Sequence, residues 1–128
     1  MRYNGVLRAF SFSYTASSLY SLIADGRYRQ THLGRNKWKS LIYGSSLQRN
    51  CNREGFNAHV PSKHVRVRLG LIANNQNVCS TPDSFIGLGG HIINCDSTHS
   101  PNAAGNLAQC SPDNGNKNTR VMAYILVR

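Results

Sequence analysis

Acidic side chains are scarce in this chain of 128 residues, in which five Asp and Glu stand against 15 Lys and Arg. Glu54 is the only glutamate, so a glycosidase would have to draw its second carboxylate from scattered aspartates. No Gly-x-Ser-x-Gly nucleophile elbow is present, and the glycine run at 87–90 lacks the last glycine of a dinucleotide-binding loop. From these absences we predict that the chain is not an enzyme.

Long apolar runs are also missing. No stretch approaches the roughly 20 residues that a membrane-spanning helix needs, so we expect no transmembrane segment. Near the start of the chain, Phe10, Phe12 and Tyr14 alternate with serines, which is a strand pattern and not the apolar core of a signal peptide. The length fits one domain at most, and because no repeat or linker interrupts the chain we place a single domain over 1–128.

The four cysteines, Cys51, Cys79, Cys95 and Cys110, include no Cys-x-x-Cys pair, which argues against a zinc ribbon or a thioredoxin motif. An even number of widely spaced cysteines is typical of disulfides formed in an oxidising compartment. We therefore expect all four to be paired and the protein to be secreted or extracellular. The spacing allows three pairings and does not choose among them.

The positive charge is unevenly distributed. Residues 1–68 contain 12 of the 15 basic residues, whereas residues 69–128 contain three basic residues and three aspartates. Such a basic half attracts polyanions such as sulfated glycans, nucleic acid or an anionic membrane. Of these partners we expect sulfated glycans and do not expect nucleic acid. The alternative is an ordinary solvated basic surface. The candidate patch consists of Lys63, His64, Arg66 and Arg68 with His59, extended by Arg27, Arg29, Arg35, Lys37 and Lys39.

The stretch from Val65 to Gly90 is the most informative in the chain. Apolar residues alternate with Arg66 and Arg68 up to Leu71, which predicts a strand. A loop rich in Asn, Gln, Ser and Asp follows, and it closes on a glycine-rich run at 85–90 where unusual backbone conformations are allowed. Rigid strands that deliver polar loops often present binding sites.

The rest of the chain predicts short elements and long loops. A strand is expected over 8–14, and a short helix capped by Thr15 or Ser17 ends at Gly26. A second helix, capped by Asn36 and containing Trp38, ends at Gly44. Residues 45–63 have no clear period and predict a loop, and the turn-forming segment 91–120 predicts a long functional loop. Residues 121–127 are apolar on both faces, which predicts a buried central strand.

Three motifs in order, Asn74-Asn75-Gln76, Cys79-Ser-Thr and Ile86-Gly-Leu-Gly-Gly90, resemble the C-terminal part of intelectins and related fibrinogen-like secreted lectins. Residues 14–20 and 37–42 are similar to secreted fibrinogen-related proteins of invertebrates. The resemblance implies an α+β fold of the fibrinogen C-terminal type: a twisted, mostly antiparallel sheet with short helices, long ordered loops and disulfides. The chain would then be one such domain or its C-terminal fragment.

The resemblance also implies calcium-dependent recognition of glycans. The candidate glycan-binding residues are Asn74, Asn75, Gln76, Asp83 and His91. The candidate metal ligands are Asn74, Asn75 and Asp83, which match positions of the family, together with Asp96 and Asp113, which are added because calcium prefers oxygen ligands. Calcium binding would be weak, because Gln76 stands where the family has a carboxylate and Pro82 has no ligating side chain. The alternatives are that these residues only form turns, and that the protein binds sulfated polyanions without lectin activity. The oligomeric state stays open.

Overall fold

The structure is a computed structural model that describes residues 1–62, 64–93, 95 and 99–128, with residue 99 described by its backbone alone. Six strands form an antiparallel sheet in chain order, β3-β4-β5-β6-β7-β8, and β1 and β2 form a separate hairpin. No helix in the described part of the chain is long and apolar enough to cross a membrane. The elements are β1 Arg2–Tyr3, β2 Val6–Leu7, α1 Leu19–Ile23, β3 Arg29–Gln30, α2 Arg35–Lys39, β4 Asn50–His59, β5 Val65–Asn74, β6 Ser84–Ile93, β7 His99–Ala108 and β8 Lys117–Arg120.

A row of glycines crosses the four long strands at their middle. Gly55 lies opposite Gly70, Gly70 opposite Gly87, and Gly87 opposite Gly105. A Cβ atom added at any of the four would come closer than 3 Å to a backbone carbonyl oxygen of the neighbouring strand. Glycine inside a strand marks such close backbone approaches. We call this row the crease. It divides the strands into a first leaf (50–54, 71–74, 84–86 and 106–108) and a second leaf (56–59, 65–69, 88–93 and 99–104).

The sheet folds over at the crease. The disulfide partners Cys95 and Cys110 follow opposite ends of the β6–β7 ladder, about 30 Å apart along straight strands, yet their Cα atoms are 6.3 Å apart. Within β4, the guanidinium of Arg53 donates to the carbonyl of His59 at 2.9 Å, although six residues of straight strand span about 20 Å. The two leaves therefore lie face to face.

Two apolar cores result from this folding. The inner core lies between the leaves and joins first-leaf side chains such as Ile72 and Phe85 to second-leaf side chains such as Val67 and Ile92, all of them buried. The outer core lies on the other side of the first leaf and the crease, where it is covered by α2 and the N-terminal segment. Its members include Trp38, Leu41, Ile42, Leu47, Phe56, Leu71 and Ile86.

Strand β5 forms where the alternating pattern predicted it. Strands β6 and β7 form where loops were predicted. The glycine-rich run 85–90 lies inside β6, and much of the predicted long loop 91–120 forms β7 and β8. Residues 45–63, predicted as loop, contain the ten-residue strand β4. One glycine in each of β4, β6 and β7 lies at the crease, where a side chain would not fit. Buried asparagines such as Asn106 are accommodated because their side-chain amides donate to backbone carbonyls.

The predicted C-terminal strand over 121–127 is wrong. Only Met122 forms a bridge, to Arg2, and Leu126 and Val127 are 93% and 71% exposed. No described strand pairs with the rest of this segment, so its apolar pattern does not reflect burial in the sheet. The predicted strand over 8–14 forms no ladder either, although its alternation is real: Phe10 packs edge-on against the ring of Trp38 at 5.2 Å.

Both predicted helices exist, each shorter than predicted and with a different cap. Ser18 caps α1 by accepting from the Ser21 amide, and the Ser21 hydroxyl accepts in turn from the amide of Ser18. Helix α2 begins after Gly34, whose φ of 88° suits glycine. Two short helices beside an antiparallel sheet are compatible with the predicted α+β class.

All four cysteines are paired, as predicted, and the structure selects one of the three pairings. Cys51 bonds to Cys79, which ties the start of β4 to the β5–β6 loop. Cys95 bonds to Cys110 and holds the β6–β7 turn against the end of β7. The second disulfide therefore clamps the two leaves together.

Candidate functional site

Glu54, the only glutamate, is buried on β4 as a structural anchor. Its carboxylate accepts four hydrogen bonds, from the Thr31 hydroxyl at 2.6 Å, the Gly34 amide at 2.7 Å, and the Leu33 amide and Trp38 indole at 2.9 Å. Burial by itself raises the pKa of Glu54, but these four bonds outweigh it and the pKa lies below its ordinary value. The carboxylate fastens the segment before α2 to the sheet and is not open to a ligand.

Asp113 is likewise used inside the fold. One oxygen accepts from both Arg35 and Lys39 at 2.6 Å, and the other accepts from the Leu47 amide at 3.0 Å. Burial alone would raise the pKa of Asp113, but these bonds hold it well below its usual range. Since two cations share this single carboxylate, the surroundings keep a net positive charge.

The surface cations consequently face few free carboxylates. Asp25 forms a two-point ion pair with Arg29, with both N–O distances at 2.8 Å. Glu54 and Asp113 are bonded as described above, which leaves Asp83 as the remaining carboxylate in the described part of the chain. Basic side chains outnumber these carboxylates in residues 1–68, so this half of the chain keeps a net positive charge that attracts anions.

The predicted binding loop after β5 is held rigidly by its own asparagines. Asn74 is fully buried: its amide donates to the Val78 carbonyl at 2.7 Å, and its side-chain oxygen accepts from the Asn75 amide at 2.9 Å. Asn50 donates to the Asn75 carbonyl at 2.7 Å, and the Asn75 side chain accepts from the Gln76 amide at 3.0 Å. Asn75 and Gln76 remain exposed, whereas Asn74 is a structural residue of the loop.

Of the other predicted ligands that the structure describes, one, Asp83, lies near this loop. The Asp83 amide donates to the Ala73 carbonyl at 3.1 Å, which places Asp83 beside Asn74. Burial raises the pKa of Asp83, and the charge of His64 acts in the opposite direction. Asp113 is bound beside Leu47, as described above. His91 lies on the second leaf opposite Arg66, and Asp96 lies outside the described residues.

In the described part of the chain, no group of three or more His, Cys, Asp or Glu side chains is arranged to hold a metal ion. Calcium binding, which could also draw on amide and carbonyl oxygens, stays a prediction.

Three members of the predicted basic patch, Arg66, Arg68 and His59, line a cavity of about 230 Å³ on the outer face of the second leaf. Arg66 and Arg68 line it together with His59, Asn57 and Gly26. The two arginines lie two residues apart on β5 and alternate with buried Val67, so both guanidinium groups are delivered to one face. Arg66 also lies opposite His59 on β4. We call this site the arginine cavity.

Asn57 orders one side of the arginine cavity. Its φ of 50° lies in the left-handed region, where asparagine is tolerated better than most residues. Its amide donates to the carbonyls of Leu22, Ile23 and Arg27 at 3.1–3.2 Å, and its side-chain oxygen accepts from Arg68 at 3.0 Å. Arg68 is thus held in place before any ligand arrives.

No family model matches this chain, and neither a curated protein nor a solved structure shows significant similarity to it. The resemblance to intelectins stays a prediction. The functional conclusion therefore rests on the chemistry of the sites.

Of the remaining members of the predicted patch, Lys63 lies outside the described residues. His64 precedes β5 and contacts the hydroxyl of Ser62. Arg29, Arg35 and Lys39 are bonded to carboxylates and do not line the arginine cavity.

Tyr43 and Arg8, which the sequence reasoning missed, line a larger cavity elsewhere on the surface. Exposed aromatic side chains carry no periodic signal, so only the structure reveals this second site.

Proposed function

We propose that the chain binds anionic glycans of the sulfated polysaccharide class, and that the arginine cavity makes the principal contact. The observation that carries this proposal is the placement of Arg66 and Arg68 on one face, around one cavity, with His59 beside them. Guanidinium groups bind sulfate and phosphate oxygens through paired, charge-assisted hydrogen bonds. Arg68 is already oriented by Asn57, which lowers the entropy that a ligand must overcome.

One further observation favours a glycan over other polyanions. Two disulfides are typical of proteins outside the cytosol, where sulfated glycans occur and nucleic acid is rare. The proposed location is accordingly extracellular.

The test is salt elution from immobilised heparin. Arg66→Glu/Arg68→Glu should elute at a markedly lower salt concentration than the unmodified protein, because ionic contacts are lost and the remaining ones are screened. The matched control is Lys117→Glu/Arg120→Glu on β8, which changes the net charge by the same amount away from the cavity. Unfolding followed by Trp38 fluorescence checks that both variants remain folded.

If the two double variants elute at equally lowered salt concentrations, retention on heparin reflects net charge alone. That result would overturn the assignment of binding to the arginine cavity. An oligonucleotide that competes for the protein as well as soluble heparin does, at equal charge, would overturn the assignment to glycans.

Carbohydrate recognition by the β5–β6 loop is the second candidate, and it is the function that the intelectin resemblance implies. The observation in its favour is that the Cys51–Cys79 disulfide and the bond from Asn50 hold the loop while Asn75 and Gln76 stay exposed. It would be preferred if a glycan array showed binding to neutral glycans and none to sulfated ones.

A further inference from the structure

A second, larger cavity of about 560 Å³ lies where the turn after α2 meets the segment that follows β2. Its lining includes Arg8, Lys39, Ser40, Tyr43 and Asn114. This composition differs from that of the arginine cavity, because an aromatic ring is combined with cationic and neutral polar groups. Cavities that combine aromatic surface with a few directed polar groups are typical of binding sites for small molecules.

Tyr43 presents its ring to solvent from a turn whose backbone is anchored. Its side chain is 79% exposed, whereas the preceding Leu41 and Ile42 are buried in the outer core. Gly44 turns the chain with a φ of 75°, and its carbonyl accepts from the side-chain amide of Asn114 at 2.9 Å. The tyrosine therefore stands on an anchored turn, and the core does not require its ring. Tyrosine and arginine together are the residue types that most often dominate binding energy.

The charge around this ring is positive. The guanidinium of Arg8 lies 5.8 Å from the centre of the Tyr43 ring and makes no hydrogen bond to another described residue. Lys39 shares the single carboxylate of Asp113 with Arg35, so these three groups together keep one positive charge. A ligand that lies against the Tyr43 ring thus meets the guanidinium of Arg8, which lies over the ring and has no carboxylate partner in the described part of the chain.

We propose that this cavity binds an acidic sugar, a pyranose that carries a carboxylate. The flat C–H face of the sugar lies on Tyr43, the carboxylate accepts hydrogen bonds from Arg8, and the hydroxyls contact Ser40 and Asn114. A guanidinium pairs with a carboxylate through two parallel hydrogen bonds, which fixes the orientation of the ring as well as its charge. This inference is independent of the arginine cavity, because it uses none of the residues of that site.

The test uses three small probes, each titrated into ¹⁵N-labelled protein and followed by NMR: methyl β-glucuronide, methyl β-glucoside and benzoate. We expect shifts around residues 43–45 and 114 with the glucuronide, and binding about tenfold weaker with the glucoside, which is the factor of one charge-assisted hydrogen bond. Arg8→Gln should remove the preference for the glucuronide, and Tyr43→Ala should abolish binding of both sugars.

Tyr20→Ala is the matched control, because that side chain is 77% exposed and lies elsewhere on the surface; it should leave glucuronide binding unchanged. Arg66→Glu/Arg68→Glu should also leave it unchanged, so failure of the heparin test and failure of this one are distinguishable. Equal affinity for glucuronide and glucoside would overturn the carboxylate contact. Benzoate binding as tightly as glucuronide would overturn the assignment to a sugar.

Discussion

Replacing Gly87 by alanine tests whether the crease is a requirement of the fold. The φ of Gly87 is 152°, and an added Cβ would collide with the Leu69 carbonyl and approach the Cα of Gly70 at 2.7 Å. Backbone conformations in this region disfavour other residues by about 1–3 kcal/mol. Overpacking against atoms that cannot move aside adds about 1–3 kcal/mol. We therefore expect the free energy of unfolding to fall by about 2–6 kcal/mol, a large part of the stability of a domain this size.

Gly115→Ala separates the two contributions. Gly115 also has a positive φ, 72°, but a Cβ there would meet no atom within 4 Å. Gly115→Ala should therefore lower the free energy of unfolding by about 1–2 kcal/mol, which is the ordinary cost of an alanine in the left-handed region. Gly70→Ala supplies the converse case, because its Cβ would approach the Gly87 Cα at 2.8 Å and the Ile86 carbonyl while its φ lies outside the left-handed region.

The assay is equilibrium unfolding in urea with both disulfides intact, followed by the fluorescence of Trp38, which is 1% exposed in the outer core. With a slope of about 2 kcal/mol per molar urea, a loss of 4 kcal/mol lowers the midpoint by about 2 M. If Gly87→Ala and Gly70→Ala lose no more stability than Gly115→Ala, the close approach of the strands at the crease is refuted.

Two further predictions concern the anchors of the fold. Glu54→Gln should lower the free energy of unfolding at pH 7 by about 1–3 kcal/mol, because the amide group leaves a buried donor without an acceptor. Because the pKa of Glu54 is lowered on folding, its contribution is present above the unfolded value of about 4.3 and is lost as the pH falls through the folded value. The difference in free energy of unfolding between Glu54→Gln and the unmodified protein should therefore be smaller at pH 3 than at pH 7, as measured by unfolding in urea. An equal difference at the two pH values would contradict this. Cys95→Ser/Cys110→Ser should lower the free energy of unfolding by about 3 kcal/mol, the chain-entropy value for a 15-residue loop, and an unchanged urea midpoint would show that the leaves need no clamp.

The sequence predicted those parts of the fold whose residues follow a regular period. Strand β5 alternates from Val65 onwards, and its two arginines share a face for that reason, so half of the arginine cavity could be predicted. Strands β6 and β7 could not, because residues such as Gly87 and Asn106 disfavour strands in isolation. Their strand conformation depends on contacts with distant segments: Asn106, for example, bonds to both backbone groups of Ser46.

The failed prediction at the C-terminus has the opposite cause. Val121 to Val127 has high intrinsic strand propensity, yet propensity becomes a strand only where a partner lies alongside. Ligand binding by the loop after β5 stays a prediction. Asn74 was predicted as a ligand, but its side-chain amide donates to the Val78 carbonyl and shapes the loop. Hydrogen bonding by a buried amide depends on its neighbours in space, and one sequence does not reveal them.

The crease has a consequence for how the molecule comes apart. Each of the four long strands passes through both leaves, so four continuous strands join the leaves at the crease. The inner core also takes side chains from both leaves, and separating them exposes all of it at once. We therefore expect the two leaves to open together and not as separate structural units. In hydrogen exchange, the amides of β5 and β6 on the two sides of the glycine row should be protected to the same extent, as members of a single cooperative unit.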